Sequence, residues 1–187
     1  MALMRKIAAL GIRVGVMGVA ALGMAGVAEA HPGHLAFSFA AGLEHPLSGL
    51  DHIIAMISVG FCAQRMGGKA VWALPSMFMS VMAIGFAWAM FGQTVGFAEQ
   101  VILISMFVLP AMALAAQKIA FGPALAVTAG FALFHGFAHG IELPASATSL
   151  SFAVGFVLAT AALHALGLGV GLISERSAFW AGRWLGD

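Results

Sequence analysis

The chain has 187 residues, 62% of them hydrophobic and 8% charged, with a mean hydropathy of +1.04, where a soluble domain carries roughly 45–50% and 25%. This excludes a soluble fold and points to an all-α integral membrane protein, because the apolar residues are spread in runs of about twenty, the length one helix needs to cross a bilayer core. A formal charge of +1, with basic residues scattered singly, leaves no electrostatic footprint for a nucleic-acid partner.

Residues 1–30 read as a signal peptide. Arg5, Lys6 and Arg13 precede an apolar run over 14–28, and Ala28-Glu29-Ala30 has the small-x-small form of a cleavage site, so the mature chain is expected to begin at His31. An uncleaved first membrane helix is the alternative. Residues 31–187 then form one transmembrane helical domain, with five spans expected at about 47–64, 71–91, 98–117, 123–139 and 150–173. The segment 35–43 is too short to cross alone and reads as a surface helix, a re-entrant half-helix or an extension of the first span. Arg65 with Lys69, Lys118, and Arg176 with Arg183 fall in alternate loops, which places those loops in the cytoplasm. The mature N-terminus and the loops holding Glu99 and Glu142 are then outside, and the C-terminus inside. Gly67-Gly68-Lys69-Ala70 lacks the glycine spacing and the Ser/Thr of a phosphate-binding loop, and no internal repeat is visible. The single cysteine, Cys62, permits neither an internal disulfide nor a thiolate cluster and reads as a packing residue.

Seven histidines in so apolar a chain require explanation, since ionisable groups at membrane depth are costly and mark ion or proton pathways. His45-Pro46-Leu47-Ser48-Gly49-Leu50-Asp51-His52 opens the first expected span. Proline suits the first helical turn, so His45 falls near the N-cap with Asp51 and His52 about one and a half turns in. On a continuous helix His45 and His52 would share a face about 10 Å apart, too far to hold one ion. Either the segment 46–49 folds the helix start back, or these residues are successive stations. Broken helix ends lining a cavity are one way to build a midmembrane ion site.

Phe134-His135-Gly136-Phe137-Ala138-His139-Gly140-Ile141-Glu142 closes the fourth span. His135 and His139 are i, i+4 neighbours with Cβ atoms about 6 Å apart, a spacing that lets two imidazoles clamp one cation. Glu142 adds an oxygen ligand or an acceptor that orients an imidazole. Gly136 and Gly140 are expected to let the first span approach closely. The topology places both clusters at the outer face, where Glu99 joins them, although Glu44 and Glu99 taken singly also read as interfacial residues. Imidazole and carboxylate without thiolate suit a borderline dication such as Ni²⁺, Co²⁺ or Zn²⁺ rather than Mg²⁺, Ca²⁺ or Cu⁺. The carboxylates would draw in the hydrated ion and offset its charge as it loses water. His164, deep in the fifth span, reads as a transit station, a proton relay or a histidine bonded to a neighbouring helix. His31 and His34 offer metal capture outside the membrane, and the twelve methionines read as lipid-facing or gap-filling.

The patterns His45-Pro46-x-x-Gly49-x-Asp51-His52 and Phe134-His135-Gly136-x-Ala138-His139-Gly140-x-Glu142 resemble the two fingerprints of the HupE/UreJ family of hydrogenase and urease accessory proteins. The resemblance implies a secondary permease for Ni²⁺, or Co²⁺, in the inner membrane of a Gram-negative bacterium, feeding hydrogenase or urease maturation. It assigns the motif residues His45, Asp51, His52, His135, His139 and Glu142 to the metal path; Glu99 and His164 rest on the physical argument above. The expected partners are the dication and the bilayer, with homo-oligomerisation or a receiving metallochaperone left open. The metal is cargo, so neither a permanently bound cofactor nor a catalytic residue is expected. A membrane haem protein with axial histidines is the main rival, though a haem slot should be apolar and these histidines are crowded by acidic residues. An intramembrane metal hydrolase is disfavoured by the lack of a His-Glu-x-x-His motif.

Overall fold

A computed structural model describes residues 38–92, 95–142 and 149–185, with side chains described over 38–92, 95–141 and 150–176. The expected signal peptide, His31 and His34 lie outside the described residues, as do the side chains of Glu142 and Arg183. The chain divides into two compact units, Met1–His31 with Arg176–Asp187, and Pro32–Glu175; the core and the site both belong to the latter.

The described residues form six α-helices and no strand: α1 (Phe39–Ser48), α2 (Leu50–Met66), α3 (Ala70–Ala89), α4 (Ala98–Leu114), α5 (Phe121–Glu142) and α6 (Ser149–Leu185), with a 3₁₀ turn at Ala116–Lys118. Among the described residues, three stretches are long and apolar enough to cross a membrane, Ala70–Ala89, Phe121–Ile141 and Leu150–Arg176. The expected first span is not one helix. It is the pair α1 and α2, broken at Gly49 and bent by 82°, which together have the length and composition of a fourth span. The third expected span is also shorter than foreseen, since α4 has 17 residues and gives way to the 3₁₀ turn.

The break revises the expected place of Pro46. It lies inside α1 near its end rather than in a first turn, so His45 belongs to the last turn of α1 while Asp51 opens α2. Gly49 is extended (φ −96°, ψ 121°) and serves as the cap of both helices. The carbonyl of His45, which a continuing helix would give to the N–H of residue 49, instead accepts the Ser48 hydroxyl at 2.8 Å. At the other end of α1, Ser38 caps the helix by accepting the Ala41 N–H at 3.1 Å.

Lipid offers no hydrophobic drive between helices, so close backbone approach must supply the packing. α3 and α5 meet where Gly136 faces the carbonyl of Met82 and Gly85 that of Leu133, and a Cβ at either glycine would fall on the facing oxygen. Gly136 and Gly140 therefore admit α3, not the first span as expected. Paired glycines likewise seat α6 on both halves of the broken span: Gly155 against α1 and Gly167 against α2. Met56, Val59, Cys62, Leu74, Phe78 and Leu109 fill the core, while Trp72, Ile84, Leu103, Phe107, Leu150 and Ile173 point outward, as a lipid-solvated surface requires.

Within the unit Pro32–Glu175, the basic loop after α2, the start of α5 and the stretch of α6 at Glu175 meet at one end of the bundle. Lys69 Nζ sits 4.3 Å from the Phe121 ring centroid, and Gln64 Nε2 donates to Glu175 Oε2 at 3.1 Å. His52 and His139 lie toward the opposite ends of α2 and α5. The α3–α5 seam is open to test. Gly136→Ala should lower the melting temperature of the detergent-solubilised protein, with an overpacking cost of about 1–3 kcal/mol. Gly130→Ala, facing open space, should leave it unchanged; equal melting curves for the two variants would refute the seam.

Candidate metal centre

Three histidines from three helices converge. His45 at the end of α1, His52 in the first turn of α2 and His139 near the end of α5 each present a ring nitrogen, and these atoms all lie within 4.8 Å of one another. The bend at Gly49 accounts for it. A straight helix would separate His45 and His52 by about 10 Å, whereas here their ring centroids are 5.8 Å apart and His45 is 4.5 Å from His139. His52 Nε2 and His139 Nε2 face each other at 2.5 Å. Of the two arrangements open to the segment 46–49, the fold-back is the one observed.

Asp51 completes this corner from behind. Its Oδ1 accepts His52 Nδ1 at 2.8 Å, which leaves Nε2, the nitrogen facing His139, as the lone-pair side of the ring. A carboxylate so placed fixes the ring's orientation and raises its strength as a donor to a cation. Asp51 Oδ1 thus stands behind the His52 imidazole and outside the group of three converging nitrogens. Gly49 makes the placement sterically feasible, because a Cβ there would meet Asp51 Oδ1 at 2.5 Å and His52 Nδ1 at 2.8 Å. Both His52 and His139 are 5% exposed.

His135 lies one turn below His139 on α5. Its Nδ1 donates to the Phe131 carbonyl at 2.8 Å, so Nε2 carries the lone pair, and that atom is buried with no partner among the described residues. The ring stands 5.4 Å from His52. Glu99 is exposed in the first turn of α4 and outside the converging group, although Phe97 beside it meets Phe134 at 5.6 Å, which puts the start of α4 near the histidine end of α5. His164 is 1% exposed on α6 and is not part of the group.

Sequence reasoning did not single out the aromatic walls. Phe156 lies 4.8 Å from His139 and 5.8 Å from His45, and Phe152 lies 5.8 Å from His45. Fifteen phenylalanines give no compositional signal; the hint available was the i, i+4, i+8, i+12 row Phe152, Phe156, Thr160, His164 on one helix. A cavity of about 70 Å³ between α3, α5 and α6 has His139 as its ionisable wall and Met82, Phe86 and Phe156 among its apolar ones.

Fold and site together define a multi-pass helical membrane protein with a candidate transition-metal centre built from imidazoles on separate helices. The chain belongs to the HupE/UreJ family: the family model described as HupE / UreJ protein matches residues 19–187. It is 44% identical over 153 residues to Protein HupE of Rhizobium leguminosarum bv. viciae, a match covering 81% of this chain and 80% of that protein. No solved structure matches it.

The role of Asp51 gives a quantitative expectation. Asp51→Asn retains size but loses the anionic acceptor behind His52, so Ni²⁺ affinity measured by calorimetric titration in detergent should fall roughly 10–100-fold. Unchanged affinity would show that the carboxylate does not support a metal-binding imidazole.

Proposed function

We propose that the protein is a secondary permease that admits a divalent transition metal, Ni²⁺ or Co²⁺, across the bacterial inner membrane for hydrogenase or urease maturation. The observation that carries this reading is the convergence of His45, His52 and His139 within 4.8 Å inside an apolar helical bundle. Buried imidazoles without thiolate favour a borderline dication, and a cluster held by three separate helices opens when any one of them moves. Family membership supports the same reading through its association with hydrogenase and urease accessory proteins.

In this scheme the chain crosses the membrane five times, with α1 and α2 as one broken span and α4 as a short one. The histidine end faces the periplasm and the gathered basic loops face the cytoplasm, in line with the distribution of lysine and arginine. Exposed Glu99, with Glu142, raises the local concentration of the hydrated ion. His45, His52 and His139 replace part of its water shell, Asp51 holds His52 in its donor orientation, and the Nε2 of His135 receives the ion next. The site must be open and incomplete, since an ion held by a closed four-ligand site would not leave.

Radioactive nickel uptake into proteoliposomes tests the reading. His45→Ala, His52→Ala and His139→Ala should each abolish uptake while the protein remains in the membrane, and excess Co²⁺ but not Mg²⁺ should compete. Wild-type uptake no greater than that of empty vesicles, or near-normal uptake in any two of the variants, contradicts it.

A further inference from the structure

Among the described residues, buried side-chain polar atoms without a hydrogen-bond partner include Nε2 of His135, both ring nitrogens of His164 and Oγ1 of Thr128. Buried polar groups are normally paired, and orphans in so apolar an interior call for an ion or water as the missing partner. Their positions are ordered. The His164 carbonyl lies against Gly60, which is roughly 12 Å further along α2 than His52 at about 1.5 Å per residue. Thr128 lies on the same face of α5 as His135, about 10 Å further from the His45 cluster. From the cluster inward the order is therefore His135, then His164, with Thr128 toward the end where the basic loops gather.

One side chain stands between the two inner histidines. Phe78 of α3 is fully buried, its ring centroid 5.5 Å from His135 and 5.2 Å from His164. The His164 ring meets Phe78 in a T-shaped contact, with the ring planes 77° apart, while neither of its nitrogens is bonded to a neighbouring helix among the described residues. That removes the reading of His164 as a helix–helix hydrogen bond. It also leaves an imidazole with both nitrogens uncommitted at the depth where an ion leaving His135 would need its next donor.

We propose that His164 is the inner station of the path, a single-imidazole site on the far side of Phe78 that takes the divalent transition metal from His135 and releases it toward the basic-loop end. The inference rests on the permease reading and deepens it. A lone imidazole completed by water binds a dication weakly, which suits an exit site, where tight binding would stall transport.

Purified protein in proteoliposomes, assayed for nickel uptake and, in detergent, for nickel binding, tests this. His164→Ala should cut uptake by about tenfold or more while binding at the His45, His52 and His139 cluster is retained. His164→Cys, which substitutes a softer donor, should keep measurable uptake and make it several-fold more sensitive to competing Cd²⁺, a change in preference that a packing role would not produce. Normal uptake by His164→Ala, or loss of uptake by His164→Cys with unaltered Cd²⁺ sensitivity, overturns the assignment, as does failure of both variants to accumulate in the membrane. If His164→Ala transports normally while His139→Ala does not, the permease reading stands and the inner station alone is wrong; a wild-type protein without uptake overturns both.

Discussion

The architecture depends on one interruption, the extended Gly49 between two helices that would otherwise be one. A straight helix through residues 39–66 would satisfy every backbone group and would be the cheaper way to cross lipid, where an unpaired N–H or C=O costs several kcal/mol. The chain breaks it and meets part of the cost locally, with the Ser48 hydroxyl returning to the His45 carbonyl. What the break gains is chemical. It turns two histidines seven positions apart into neighbours and leaves a gap in which the Asp51 carboxylate meets the back of His52.

The rest of the bundle holds that corner in place. α6 touches both halves of the broken span through paired glycines, Gly155 against α1 and Gly167 against α2, so the 82° angle is fixed by contacts on either side of the bend. α5, which supplies His139, is in turn held against α3 by Gly85 and Gly136. Small residues thus determine the distance between imidazoles by setting the distance between backbones. Phe156 walls the cluster on the α6 side, and in a low-dielectric surrounding the attraction between a dication and the Asp51–His52 pair is stronger than it would be in solvent.

Much of this was legible in the sequence, and the failures have physical causes. Composition alone gave the all-helical membrane class, and ligand spacing gave both motifs, because histidines and carboxylates have few reasons to occupy apolar runs. The fold-back between His45 and His52 was visible only as one of two options: Pro46 is compatible with a first turn and with the end of a short helix, and nothing local distinguishes them. The partner of Gly136 was misread because a glycine in a helix announces a close approach without naming the element that approaches. Asp51 was read as a member of the donor set, yet its nearest partner is the adjacent residue, a contact that the Gly49 break makes available and that helical periodicity does not suggest. Phe78 carried no signal at all, and Phe156 only its place in a row with His164, since an aromatic residue in a membrane helix is ordinary until its neighbours are known.

The central claim is that His45, His52 and His139 hold one ion together despite belonging to three helices. X-ray absorption at the nickel edge, on purified protein loaded with a single equivalent of Ni²⁺, tests it most directly because imidazole scattering counts the histidines bound. The account predicts about three imidazoles in the wild type and one fewer in His45→Ala. A spectrum of oxygen ligands without imidazole, or an unchanged count in His45→Ala, would contradict it.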